Sequence, residues 1–181
     1  PLYGTNPMGF GWPRPAGPPL VFDQASSAMA RGEIQIAARD GKSVPESAGI
    51  GPNGESTTDP SLVLEGAQLG FGGYKGATLA MMIELLAGPL IGQMLSFESL
   101  ADDGGKGGPP RGGELIIAID PGRFGDPDGY LAHGEKLFAA ILEQDNTRLP
   151  GDRRFRNRAE TASEGIHIPQ SLYQEILTLL N

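Results

Sequence analysis

The chain has no cysteine and only two histidines in 181 residues. Within this sequence, the first absence excludes disulfides, thiolate metal sites and cysteine nucleophiles, and it fits a reducing, cytoplasmic setting. The two histidines, His133 and His167, read as ordinary helix and loop residues, and no metal site is expected. Positive charge is scarce. Lys and Arg number 14 against 22 Asp and Glu, a formal net charge of −8. That balance argues against a nucleic-acid surface or an anionic membrane as partner. The nearest approach to a membrane-length apolar run, ~18 residues, is a helix expected from residue 77 to about 95, which Gly88 and Pro89 break. No signal peptide is recognisable. The sequence opens at Pro1 without a methionine, as the later part of a longer protein would.

Two familiar phosphate motifs are also missing. The segment Gly70-Phe71-Gly72-Gly73-Tyr74-Lys75-Gly76 is rich in glycine and carries a lysine. It fails G-x-G-x-x-G, because Lys75 stands where the third glycine belongs. It fails G-x-x-x-x-G-K-[ST], because Gly76 follows the lysine. An ordinary Rossmann turn and a P-loop are both excluded. What remains is a tight turn running into an apolar helix, with backbone N–H groups and Lys75 positioned to attract an anion.

The composition is globular, with 39% hydrophobic and 20% charged residues, while Gly 28 and Pro 16 point to many tight turns. A strand is expected around residues 8–12, after a turn at Asn6-Pro7. Leu20-Val21-Phe22 reads as a short buried strand. Asp23 reads as the N-cap of a helix running to Ala37 or Ala38, with Gly32 in mid-helix and Gly41 as its stop. Residues 43–60 read as exposed turns, with a hairpin at Asn53-Gly54. Residues 101–113 read as a surface loop. The run from Glu114 to Asp120 reads as a strand buried on both faces. A helix is expected over residues 128–143. A basic loop is expected from Leu149 to Arg158, with four arginines in the last six residues. Pro169 opens a last amphipathic helix.

Together, Tyr3-Gly4-Thr5-Asn6-Pro7-Met8, the stretch from Asp23 to Gly32, Gly73-Tyr74-Lys75-Gly76 and Leu149-Pro150-Gly151-Asp152-Arg153-Arg154 resemble the type 2 malate/L-lactate dehydrogenases. Ala28-Met29-Ala30-Arg31-Gly32-Glu33-Ile34-Gln35-Ile36-Ala37-Ala38-Arg39 is most similar to the family's Δ1-piperideine-2-carboxylate/Δ1-pyrroline-2-carboxylate reductases. The resemblance covers essentially the whole chain, in the family's order. It implies an α/β (α+β type), non-Rossmann NAD(P)-binding fold with a central mixed, largely antiparallel sheet and packed helices. It implies a homodimer that uses NADPH to reduce cyclic imino acids to L-pipecolate or L-proline. Residues 1–150 would form the larger part of the NADP-binding domain. Residues 151–181 would form the basic loop and a C-terminal helix packing on a domain outside this sequence.

Carried over by position, Thr5 is a substrate contact. Asp23, Gln24, Ala25, Arg31, Gly32, Tyr74 and Lys75 are cofactor contacts, as are Leu149, Pro150, Gly151, Asp152, Arg153, Arg154 and Phe155. Glu33 is the acidic member of a Ser-His-Asp/Glu relay. Its serine and histidine belong to a half of the family's length that this sequence does not match. Imine reduction requires a hydride donor, a proton source and a grip on the carboxylate. A carboxylate beside a histidine would fix its tautomer and stabilise the imidazolium. Arginines would suit the 2′-phosphate of NADPH. Two other readings stay open: a 2-oxo acid dehydrogenase of the malate or lactate type, and a binding domain with no activity of its own.

Overall fold

The computed structural model describes residues 2–104 and 111–180. The chain divides into two compact units. The first comprises Pro1–Phe10 and Asp23–Asp120, the second Gly11–Phe22 and Pro121–Asn181. These bounds fall elsewhere than the expected functional division at residue 150, which concerns cofactor binding in a longer protein.

Two strands, β1 (Met8–Trp12) and β2 (Leu20–Gln24), pair and pass between the units. In the first unit, helix α1 (Arg31–Arg39) packs on the short helix α2 (Pro60–Glu65). Ile34, Ala37, Val44, Ala48 and Val63 close a small core between them, with Ile34 fully buried. α1 stops as expected. Gly41 takes φ +64°, its N–H donates to Ala38 O, and the Lys42 N–H donates to Ala37 O, which completes a Schellman cap. Strands β3 (Gly49–Ile50) and β4 (Ala67–Gln68) form an antiparallel ribbon, with Gly49 opposite Gln68. Among the described residues, the expected central sheet is represented by these two separate two-stranded ribbons.

Several expectations need correction. Asp23 does not cap a helix; it lies in β2, and α1 begins only at Arg31. Residues 25–30 stay non-helical because their backbone groups bond to distant segments. The Ser26 N–H donates to Thr5 O, the Ala28 N–H to Leu69 O, and Met29 O accepts from Gln68 Nε2. Gly32 therefore sits in the first turn of α1, where an added Cβ would meet open space. The turn at Asn53-Gly54 exists, closed by Gly51 N–H to Glu55 O. The surrounding segment is not uniformly exposed, because Val44 and Ala48 belong to the core. α2 follows at once; the Asp59 carboxylate accepts the Ser61 N–H, and Pro60 occupies its first turn.

Helix α3 (Tyr74–Ala87) ends at Gly88, earlier than expected, and a 3-10 turn (Pro89–Ile91) and helix α4 (Ser96–Asp102) follow. Tyr74–Ile91 forms an 18-residue apolar stretch only 22% buried, long and apolar enough by composition to cross a membrane. The same length and composition describe the core helix of a soluble protein. Part of the expected 101–113 loop is thus the end of α4, and residues 105–110 lie outside the described residues. Residues 114–120 form no strand and are not buried; Ile116 is 85% exposed and Ile117 72%. A strand exists only by pairing in a sheet, and neither of the two described ribbons includes this segment.

In the second unit, helices α5 (Tyr130–Leu142), α6 (Asp152–Glu164) and α7 (Gln170–Thr178) follow one another. Leu20, Phe138 and Leu149 form its core, flanked by Trp12, Phe22 and Ile141. The Arg14 guanidinium makes a two-pronged bond to Glu135, at 2.7 and 2.6 Å, and lies 5.2 Å from the centre of the Phe138 ring. The expected basic loop is a helix instead. Gly151 turns the chain at φ +91°, and the Asp152 carboxylate accepts the Leu149 N–H at 3.0 Å. Good helix formers then carry α6 onward, with Arg156 one turn before Glu160.

Candidate active site

Most of the candidate residues fall in the first unit, and one serine joins three of their segments. The Ser26 N–H donates to Thr5 O at 2.8 Å, and its Oγ donates to Asn6 O at 2.9 Å. Its own carbonyl accepts the Phe71 N–H at 3.1 Å, and the neighbouring Ser27 bridges Gly70 in antiparallel fashion. Thr5, the 23–25 segment and the glycine-rich turn are thereby tied together. Ser26 itself is buried.

The turn explains its own glycines. Gly72 and Gly73 take φ +58° and +63°, where other residues are strained. The Gly76 N–H folds back to Phe71 O at 3.0 Å. A Cβ on Gly76 would collide with the Phe71 backbone and come 3.0 Å from Ser26 O. Gly72 and Gly73 therefore serve the turn of the backbone, and Gly76 serves its close approach to Phe71 and Ser26. Tyr74 and Lys75 stand on the first turn of α3, both exposed, with Tyr74 at 78%.

Asp23 and Gln24 are exposed at the end of β2, and Ala25 is half-buried. Arg31, Gly32 and Glu33 are all exposed on the first turn of α1. Glu33 belongs to the first unit, whereas His133, in α5, and His167, in the loop before α7, belong to the second. The remaining candidates also belong to the second unit. Leu149 is a core residue, 2% exposed, so only its backbone can meet a ligand. Pro150, Arg153 and Arg154 are exposed, Asp152 caps the turn, and Phe155 packs against Gly151. Among the described residues, no cluster of three metal-ligating side chains occurs.

Sequence reasoning missed the polar group behind Thr5. Asn6 is 7% exposed, and its amide donates to Ala80 O at 2.9 Å and to Glu84 Oε2 at 2.6 Å. The same carboxylate accepts the Ser96 hydroxyl at 2.8 Å and the Ser96 N–H. One signal for it was a glutamate inside an otherwise apolar helix, which calls for a buried partner.

Comparison with known proteins gives this geometry its context. A protein described as Δ(1)-pyrroline-2-carboxylate/Δ(1)-piperideine-2-carboxylate reductase from Pseudomonas aeruginosa is 55% identical over 182 residues, covering 99% of this chain and 54% of that protein. A (2R)-3-sulfolactate dehydrogenase (NADP(+)) from Chromohalobacter salexigens is 41% identical over 176 residues, covering 97% of this chain and 52% of that protein. The crystal structure of a Δ1-piperideine-2-carboxylate reductase from Pseudomonas syringae pvar. tomato superposes with a TM-score of 0.86 at 42% identity, over 99% of this chain and 54% of that one. The chain thus spans about half the length of the relatives it matches. The family described as Malate/L-lactate dehydrogenase matches residues 1–177, and the chain belongs to that family and shares its α/β fold.

Proposed function

We propose that the protein to which this chain belongs reduces Δ1-pyrroline-2-carboxylate and Δ1-piperideine-2-carboxylate with NADPH, in the cytoplasm and as a homodimer. The 55% identity to the Pseudomonas aeruginosa reductase carries this reading. The cofactor assignment draws support from the sulfolactate dehydrogenase, whose name includes NADP(+). The dimer draws support from the apolar side chains that α3 and residues 114–119 leave exposed, which a partner surface would cover.

The residues fit a nicotinamide nucleotide. The first turn of α1 is exposed, and Gly32 leaves open space where any other residue would place a Cβ. A backbone free of side chain at a helix start suits close approach of an anionic group. Arg31 and Gly32, with Asp23, Gln24 and Ala25, would hold one part of the nucleotide. Tyr74 and Lys75 would hold another; for Arg153 and Arg154 of the second unit, a role at the 2′-phosphate rests on the family resemblance and on guanidinium chemistry. The bound nucleotide supplies the hydride. Thr5 would orient the substrate, and Glu33 would hold the proton-donating histidine of the relay in its reactive tautomer.

Turnover of Δ1-pyrroline-2-carboxylate against pyruvate and oxaloacetate, each with NADPH, tests the reading in the full-length protein. A higher kcat/KM for the imino acid is the expected result. Preference for a 2-oxo acid would replace the substrate and keep the family. No turnover of any of them would favour a binding role.

A further inference from the structure

Asn6 has a backbone that few non-glycine residues adopt, at φ +42°, inside a buried site. Asparagine tolerates that region better than most residues, and here its amide is held by two acceptors. Its amide nitrogen donates to Ala80 O and Glu84 Oε2, both on α3; its Oδ1 lies 3.4 Å from Ser96 Oγ, whose proton goes to Glu84 Oε2 at 2.8 Å. Its main-chain carbonyl accepts the Ser26 hydroxyl. The packing is close: a Cβ on Gly4 would come within 2.9 Å of both Asn6 Oδ1 and Ser96 Oγ. Glu84 is committed on both oxygens, to Asn6, the Ser96 hydroxyl and the Ser96 N–H.

We infer that Asn6 is a positioning residue. Its Ala80- and Glu84-bonded side chain pins the Thr5-Asn6 segment to the middle of α3, so that Ser26 can lock Thr5 beside the glycine-rich turn. The chemistry it serves rests on the proposed reductase function; the clamp itself does not. Thr5 is bracketed by two bonds, Ser26 N–H to its own carbonyl and Ser26 Oγ to the next one. α3 begins at the turn that Ser26 O also holds. One helix thus sets the height of both Thr5 and Lys75. Asn6 is buried behind Thr5 and acts through it.

The test is a swap in the full-length protein. N6D keeps the size and the backbone tolerance, removes the amide donor and faces one carboxylate with another. Adding E84Q to N6D restores a neutral donor against an acceptor at position 84, while Ala80 O still lacks its donor, so the expected recovery is partial. The first readout is amide hydrogen exchange of Ser26. It should quicken about tenfold or more in N6D, the scale of one lost buried hydrogen bond, and slow again in the double variant. The second readout is kinetic. KM for the imino acid should rise about tenfold in N6D and recover in part in the double variant, while the Kd for NADPH stays within about twofold. E84A, which removes the carboxylate that the Asn6 amide donates to, serves if N6D does not fold; the same two readouts should move in the same direction. Unchanged Ser26 exchange in N6D, or in E84A where N6D does not fold, overturns the clamp. Failure of E84Q to restore any of what N6D loses, or NADPH affinity falling in step with KM, reduces Asn6 to a general packing residue and also overturns it. If the unaltered protein turns over no imino acid, the function fails while the exchange experiment still decides the clamp.

Discussion

The α1–α2 pair and the α3 region have similar apolar side chains and opposite fates. On α1, Ile34 and Ala37 face Val63 of α2, and the side chains around them are mostly exposed and polar. α3 is apolar nearly all round, yet only Gly76 and Ala80 are buried on it, and Met81, Met82 and Leu85 face outward. The lesson is that a one-sided apolar stripe can be satisfied by a short neighbour in the same sequence. An all-round apolar helix needs several neighbours, and this chain spans about half the length of its relatives.

Ile34→Ala should cost the most, about 2–5 kcal/mol of unfolding free energy by denaturant titration, because it empties a fully closed site. A cost under ~1 kcal/mol would mean that the α1–α2 core is not the first unit's anchor. Asp59→Ala, which removes the cap of α2, should cost about 1 kcal/mol. Gly32→Ala should raise stability by about 0.4–1 kcal/mol, since α1 gains a better helix former with open space around it. Under the proposed function the same change weakens NADPH binding, and calorimetry of both quantities tests whether the two effects part. Leu85→Ala should change the stability of this chain by no more than ~0.5 kcal/mol, as expected of an exposed position. A loss of several kcal/mol would show that α3 is covered.

The smallest effect concerns acid. The hydrogen bond from Arg14 holds Glu135 below the usual carboxylate range, and the bond from Arg39 does the same for Asp40. Each carboxylate therefore contributes stability above its unfolded pKa and loses it as pH falls through its lowered folded value. Denaturation midpoints should fall between pH 6 and pH 3, and Glu135→Gln should flatten part of that slope. A midpoint rising over that interval would contradict the assignment.

Much of this was legible from local chemistry. The strand after Pro7, β2, the Gly41 stop, α5 and α7 follow from proline, glycine and apolar spacing, while no regular turn forms at Asn6-Pro7 itself. The candidate cofactor segments could be picked out because they recur in family order. Non-local bonding could not be read. Residues 25–30 look helical, but they spend their backbone groups on Thr5 and Leu69. Residues 114–120 look like a strand, but strand formation depends on a neighbour. α6 was readable in principle, since Gly151-Asp152 precedes a run of good helix formers; the arginine density drew attention to charge instead. The Asn6–Glu84–Ser96 group joins residues 78 and 90 positions apart, which no local pattern announces.

Whether residues of this chain hold a nicotinamide nucleotide is decided by titrating the folded chain with NADPH and, in parallel, with NADH. NADPH should bind about tenfold or more tighter than NADH, with the difference removed in Arg153→Ala/Arg154→Ala. Binding of neither nucleotide by a chain shown to be folded would rule the nucleotide site out.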